Sequence, residues 1–206
     1  MDQKNNEKDA GIKIIDFSEV PSDILPLVIG LVGRLIFSVQ QWAEVTNRHP
    51  IALLCDEAHL YIPERINQDS GSELGLKNFE RIAKEGRKYG VSLVVISQRP
   101  SEVNRTVLSQ CNNFISLRLA NAEDQGVIKR LLPDNLIGLT DVLPVLDVGE
   151  ALVVGDASLL PTRILIDTPK LKPQSATIRF WEEWSKDTIN QNTESAVLGL
   201  RKQSRA

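Results

Sequence analysis

Residues 51 to 59, Ile-Ala-Leu-Leu-Cys-Asp-Glu-Ala-His, run five apolar side chains straight into two carboxylates, Asp56 and Glu57. An unbroken apolar run of this length predicts a strand inside a sheet, since every side chain of such a strand calls for a covered face. Open sheets of the α/β class place ligands at the carboxyl ends of their strands, which is where the two acids stand. Adjacent acids at that position suit phosphoryl transfer. The first can hold Mg²⁺ through its water shell, and the second can orient and deprotonate the water that attacks a γ-phosphate. Asp56 is the candidate metal residue and Glu57 the candidate general base.

The rest of the chain alternates in period around this strand. Ile12 to Phe17 reads as a strand, Ser22 to about Glu44 as a long helix with Pro26 in its first turn, and Ile51 to Cys55 as the central strand. A polar loop at 63 to 72 precedes a helix from about Glu73 to Lys88 and a strand from Val91 to Ile96. Then follow a short helix near Glu102 to Gln110, a strand Phe114 to Leu119, a helix Ala122 to Leu131, and a closing hairpin of Ala151 to Val154 with Arg163 to Ile166. Repeated strand-helix-strand units predict an α/β fold whose mainly parallel sheet is covered on both faces. Residues 11 to 170 form the body of the chain, 1 to 10 a polar tail, 171 to 188 a C-terminal helical segment, and 189 to 206 a second polar tail expected to be disordered. Phe180, Trp181 and Trp184 fall at helical spacing, and docking of that aromatic face within the chain is favoured over docking on a neighbouring subunit.

The 206 residues suffice for one core, and a formal charge of −3 offers no global basic field, so DNA contact would come from a local patch or a ring of repeated subunits. Cys55 and Cys111 have neither metal nor redox spacing and read as small apolar residues. The apolar run Ile24 to Phe37 is shorter than the roughly 20 residues a bilayer span requires and contains Arg34, which makes it a core helix. With a polar amino terminus unlike a signal peptide, the expected location is the cytoplasm, without a membrane.

A loop that cradles nucleotide phosphates has the form G-x-x-x-x-G-K-[ST], and these 206 residues contain no match. Gly30 and Gly33 lie in an apolar helical run; Gly71 and Gly75 lack both the spacing and the Lys-Ser/Thr that should follow. His59 does not stand at zinc-site spacing from any second histidine, which leaves little basis for a metal-ligand role. The strand Leu93 to Ile96 runs into Ser97-Gln98-Arg99-Pro100; if it neighbours the Asp56 strand in parallel, Gln98 comes beside the γ-phosphate position as a sensor amide. Between the two strands, Phe79, Ile82, Ala83 and Gly86 make an apolar helical stripe with Arg87 at its flank, while Arg81, Lys84 and Lys88 point away.

Ile51 to His59, Lys84-Glu-Gly-Arg-Lys-Tyr-Gly90, Ser97-Gln-Arg-Pro100, Leu117-Arg-Leu-Ala-Asn121 and Gly149-Glu-Ala-Leu-Val-Val-Gly155 occur in an order that resembles the C-terminal half of the motor domain of HerA-like ATPases, in the wider group with the FtsK translocases. The resemblance runs from about Ile12 to Thr168. It implies a RecA-like P-loop NTPase core, incomplete because the Walker A portion is missing, with Asp56 and Glu57 as the Walker B pair, Gln98 as sensor, and ATP and Mg²⁺ as the ligands of the complete protein. It further implies Arg87 as the arginine finger reaching the next subunit's ATP, Arg81 as the secondary arginine, and Arg65 as a DNA-facing residue in the loop after the Walker B strand. Family members are hexameric rings that move double-stranded DNA and work with a nuclease or an anti-phage effector. The chain departs from the pattern in lacking the Walker A loop and the N-terminal barrel, so it is expected to be a fragment or a shortened relative that is inactive alone. DEAH-box helicases share the word Asp-Glu-Ala-His but carry Ser-Ala-Thr where this chain has Ser97-Gln98-Arg99. A non-catalytic assembly or regulatory subunit with an inherited ATPase fold is the alternative function.

Overall fold

The computed structural model describes residues 11–64, 70–132, 134–171, 178–186 and 193–203. Val20–Asp167 forms one compact unit, and the described residues of Met1–Glu19 with Thr168–Ala206 form a second.

Within the larger unit, helix α1 (Leu25–Trp42) begins with a proline in its first turn, where the missing N–H leaves no hydrogen bond unmade. It buries Pro26, Gly30, Gly33, Phe37 and Gln40, a spacing of three and four that defines one helical face. That face meets helix α2 (Ser70–Glu85) at close range: a Cβ on Gly30 would run into the backbone of Gly75, and one on Gly75 into the carbonyl of Pro26. These glycines, which offer no phosphate cradle, serve a backbone-to-backbone helix crossing. By length and composition the 18 residues of α1 are apolar enough to cross a membrane, yet one side is packed on α2.

Strands β1 (Ile51–Cys55) and β2 (Val91–Val95) pair in parallel, Ile51 opposite Val91 through Cys55 opposite Val95. Leu53, Cys55, Val91, Leu93 and Val95 join Phe37, Leu76, Phe79, Ile82, Val107 and Leu108 in the first core cluster. The opposite face of the pair, with Ala52, Leu54, Ser92 and Val94, is exposed, Leu54 at 63%. Cover on both faces is therefore met on one face only, because α1, α2 and the short helix α3 (Arg105–Ser109) pack with the same side of β1 and β2.

The remaining strands, β3 (Asn113–Ser116), β4 (Glu150–Gly155) and β5 (Thr162–Leu165), form an antiparallel sheet in the order β3-β4-β5. A second cluster, Ile128, Leu132, Leu143, Leu146, Leu152 and Val154, joins this sheet to helix α4 (Ala122–Leu131) and to the 3₁₀ stretch Asp134–Val145, which periodicity did not predict. Asn121 caps α4 by accepting from the Glu123 N–H, as Asn104 caps α3 by accepting from Val107.

Ile12 to Phe17 is not a strand. Ile12, Ile14 and Ile15 lie 74%, 89% and 55% exposed, since an apolar-rich extended segment becomes a strand only where an edge is present to pair with it. In the smaller unit, the aromatic rings of helix α5 (Phe180–Trp184) meet one another in tilted and edge-on contacts, with Phe180, Trp181 and Trp184 exposed. Helix α6 (Thr193–Gln203) occupies part of the stretch expected as a polar tail. The expected tail at residues 1 to 10 lies outside the described residues.

Candidate functional site

The site is built where β1 and β2 end side by side. Their pairing continues past the strands, the Ile96 N–H donating to the Cys55 carbonyl at 2.9 Å and the Ala58 N–H to the Ile96 carbonyl at 2.9 Å. Between these bonds the chain turns sharply at Glu57, whose φ of 48° makes it the one non-glycine residue with positive φ among the described residues. A left-handed conformation costs an ordinary residue about 1–2 kcal/mol, so it persists only where its surroundings hold it.

Three features do so. Asp56 Oδ1 accepts from the Glu57 N–H at 3.0 Å, the turn Ala58–Leu60 starts at once, and the Tyr61 hydroxyl returns to donate to the Asp56 carbonyl at 2.8 Å. Tyr61 is buried, and that burial, reinforced by Cys55 and by the Asp56 and Glu57 carboxylates, raises its phenol far above the ordinary range, so it stays a donor. Burial also pushes the Cys55 thiol up to about 11, which suits a packed side chain and not a nucleophile.

Glu57 and Gln98 meet. The Gln98 side-chain amide donates to Glu57 Oε1 at 2.6 Å although 41 residues separate them in sequence. His59 stands on the other carboxylate oxygen, Nδ1 3.4 Å from Oε2, and the same nitrogen is 3.1 Å from the Ser97 hydroxyl oxygen. The segment carrying Ser97 and Gln98 is anchored further on: the Ser101 N–H donates to the buried Asp124 carboxylate at 2.9 Å, and the Asn104 N–H donates to the Ile62 carbonyl at 2.9 Å. Glu64 accepts from the Arg105 N–H and pairs with its guanidinium at 2.9 Å, tying the chain just after the acids to α3.

Asp56 is exposed at the carboxyl end of β1. No group of three or more metal-ligating side chains occurs among the described residues. A single exposed carboxylate fits Mg²⁺, which keeps several waters and takes few protein ligands, better than it fits a cation that needs a protein cage.

Arg87 is not brought to this cluster. It lies in the turn Gly86–Tyr89 before the amino end of β2, whereas Gln98 follows the carboxyl end, so the whole strand, roughly 16 Å at about 3.3 Å per residue, separates them. Its side chain is exposed beside an open depression of about 510 Å³ lined by Lys84, Glu85, Arg87 and Lys88. Arg81 does not point away; it is engaged by its own chain, bonded to Gln41 and Glu85 with its guanidinium over the Phe37 ring. Arg65 lies outside the described residues. Tyr61 and Asp124 carried no sequence signal, since their partners are a backbone carbonyl and a backbone N–H that only folding brings near.

No family model matches the chain. It is 29% identical over 186 residues to the DNA double-strand break repair helicase HerA of Sulfolobus acidocaldarius, covering 88% of this chain and 37% of that protein. It is 40% identical over 118 residues to the HerA of Pyrococcus furiosus, covering 57% of this chain and 20% of that one. The chain thus spans well under half the length of the curated relatives it matches. Its fold is similar to the DNA-packaging ATPase B204 from Sulfolobus Turreted Icosahedral Virus, with a TM-score of 0.51 and 13% identity over 75% of this chain and 66% of that one. The chain thus resembles the HerA helicases in sequence, and its α/β core has a RecA-like fold.

Proposed function

We propose that this HerA-like chain is the acid-and-sensor portion of a ring-forming, ATP-dependent double-stranded DNA translocase or helicase that works in the cytoplasm with a nuclease or an anti-phage effector. The observation that carries the reading is the Gln98–Glu57 hydrogen bond at the adjoining carboxyl ends of two parallel strands. That arrangement joins a base to a neutral amide that can sense the group the base acts on. The HerA relatives, which are named as DNA double-strand break repair helicases, support the DNA and helicase assignments.

In this reading Asp56 holds Mg²⁺ through water, and Glu57 takes the proton of the water attacking the γ-phosphate of ATP. Gln98 donates to Glu57 in the resting site and exchanges that bond for the γ-phosphate when nucleotide is present. Arg87 belongs to the neighbouring subunit's site in a hexamer, Arg81 is the secondary arginine, and Arg65 faces DNA, one charge per subunit multiplied by the ring. A second reading, a non-catalytic assembly or regulatory subunit, is favoured for the isolated chain, whose 206 residues hold no phosphate loop.

The two readings separate in an ATPase assay on the full-length natural protein, which hydrolyses ATP under the first and does not under the second. Glu57→Gln should keep nucleotide binding and lose hydrolysis by roughly 10²-fold or more, because the amide keeps the size but not the basicity of the carboxylate. Asp56→Asn should weaken the Mg²⁺-dependent part of ATP binding. Titration with a fluorescent ATP analogue and steady-state phosphate release measure both; parental rates in both variants would overturn the catalytic assignment.

A further inference from the structure

The Glu57 carboxylate has two oxygens, and the proposed mechanism uses only the partner of one. Oε1 takes the Gln98 amide; Oε2 faces His59 Nδ1 at 3.4 Å. A carboxylate can only accept, so two lone pairs would face each other unless Nδ1 carries the proton. The Ser97 oxygen, 3.1 Å from the same nitrogen, already accepts from the Arg99 N–H and has a second lone pair to offer. An Nδ1–H directed between Ser97 Oγ and Glu57 Oε2 gives both oxygens a donor and leaves the half-buried Ser97 O–H to turn elsewhere. His59 can hold that position because its side chain is only 13% exposed, in the tight turn Ala58–Leu60 that follows the strained Glu57.

We propose that His59 is a positioning residue for Glu57: its Nδ1–H, shared with the Ser97 hydroxyl, holds carboxylate Oε2 while Gln98 holds Oε1, so that the base is aimed by groups from both strand ends. A neutral free imidazole favours the other tautomer, and the proton moves to Nδ1 here because two acceptors converge on it. The inference rests on Glu57 being the base for its catalytic consequence, though not for its geometry. His59 acts on the reaction only through the carboxylate it aims.

The tautomer can be read directly. The chain has two histidines, His49 and His59, so a long-range ¹H–¹⁵N correlation spectrum of the purified 206-residue protein, compared with that of His59→Gln, assigns the His59 ring nitrogens. The expected result is a protonated Nδ1 and a bare Nε2 at neutral pH, returning toward the Nε2–H form in Glu57→Ala. A bare Nδ1 in the unsubstituted protein would overturn the proposal, whether or not the variant folds. In the ATP-hydrolysing protein, His59→Ala should lower kcat roughly 10- to 100-fold with KM for ATP within about twofold, as is usual when a supporting hydrogen bond to an active group is removed. His59→Asn, whose amide can donate from near the Nδ1 position, should regain part of the loss; no difference between the two variants in kcat would count against the proposal. A bare Nδ1 with an inactive Glu57→Gln would remove the clamp and leave the base standing. An Nδ1–H with a fully active Glu57→Gln would do the reverse.

Discussion

Glu57 places a carboxylate in a backbone conformation that glycine adopts more readily than any other residue, and the chain tolerates the strain where the acid is needed. The turn lets β1 end and the chain fold back so that Tyr61 reaches the Asp56 carbonyl within five residues. Removing the side chain at this one position should have two separable effects. Glu57→Ala loses the carboxylate and keeps the penalty of a Cβ in the left-handed region; Glu57→Gly loses both. Urea unfolding of the purified chain should find Glu57→Gly more stable than Glu57→Ala by about 1 kcal/mol, the usual cost of that conformation partly offset by the extra freedom of glycine when unfolded. Equal stabilities, or a more stable alanine variant, would mean that the turn stores no strain.

At the scale of elements, the contact that positions the site is the crossing of α1 and α2, which carries the Phe37, Phe79 and Ile82 core against β1 and β2. Gly30 and Gly75 set its distance, and Asn78 donates across it to the Gly30 carbonyl at 3.2 Å. Gly30→Ala forces backbone apart where no flexible side chain can give way, so it should cost about 1–3 kcal/mol in thermal or chemical unfolding. Gly138→Ala is the comparison: a Cβ there meets nothing within 4 Å, and stability should change by no more than about 0.5 kcal/mol. Similar losses at both positions would show that helix spacing is not what Gly30 supplies. The opposite stripe of α1, Leu31, Leu35, Val39 and Trp42, is exposed, the last at 84%, so an apolar run that suggests a fully buried helix is half covered in this chain.

At the scale of the whole molecule, the residues of the proposed reaction are divided between two ends of β2. Asp56, Glu57, Gln98 and His59 gather at one; Arg87 stands before the other and cannot serve its own chain's site. A guanidinium that far away contributes only if a second subunit brings its Arg87 to this Glu57. Purified residues 1 to 206 should accordingly show negligible ATP hydrolysis, since no loop in them positions the β- and γ-phosphates. Under the proposed function, Arg87→Ala in the full-length natural protein should lower ATP hydrolysis on the order of 10³-fold with ATP affinity nearly intact. Mixed with Glu57→Gln subunits, it should regain some activity, because some interfaces then pair an intact Glu57 with an intact Arg87. Normal turnover by Arg87→Ala alone would refute the trans role.

Local pattern decided what local physics controls. The apolar run ending in Asp56 and Glu57 made β1 and its acids legible, and periods of 3.6 located α1, α2 and α4 to within a few residues. Even the meeting of Gln98 with Glu57 was accessible, because it required only that two strands be parallel neighbours. What the string of residues could not hold was the other partner of each group. An apolar-rich segment such as Ile12 to Phe17 states a preference for extended structure without supplying an edge, and it forms no strand. The left-handed turn at Glu57, the His59 ring between Ser97 and the carboxylate, and the Tyr61 hydroxyl on the Asp56 carbonyl depend on short contacts between atoms whose approach is set by strand register and helix crossing. Sequence by itself determined which chemical groups the site would contain; tertiary structure alone decided how they are aimed, because hydrogen bonds are short and directional while hydrophobic patterning specifies only that a face be covered.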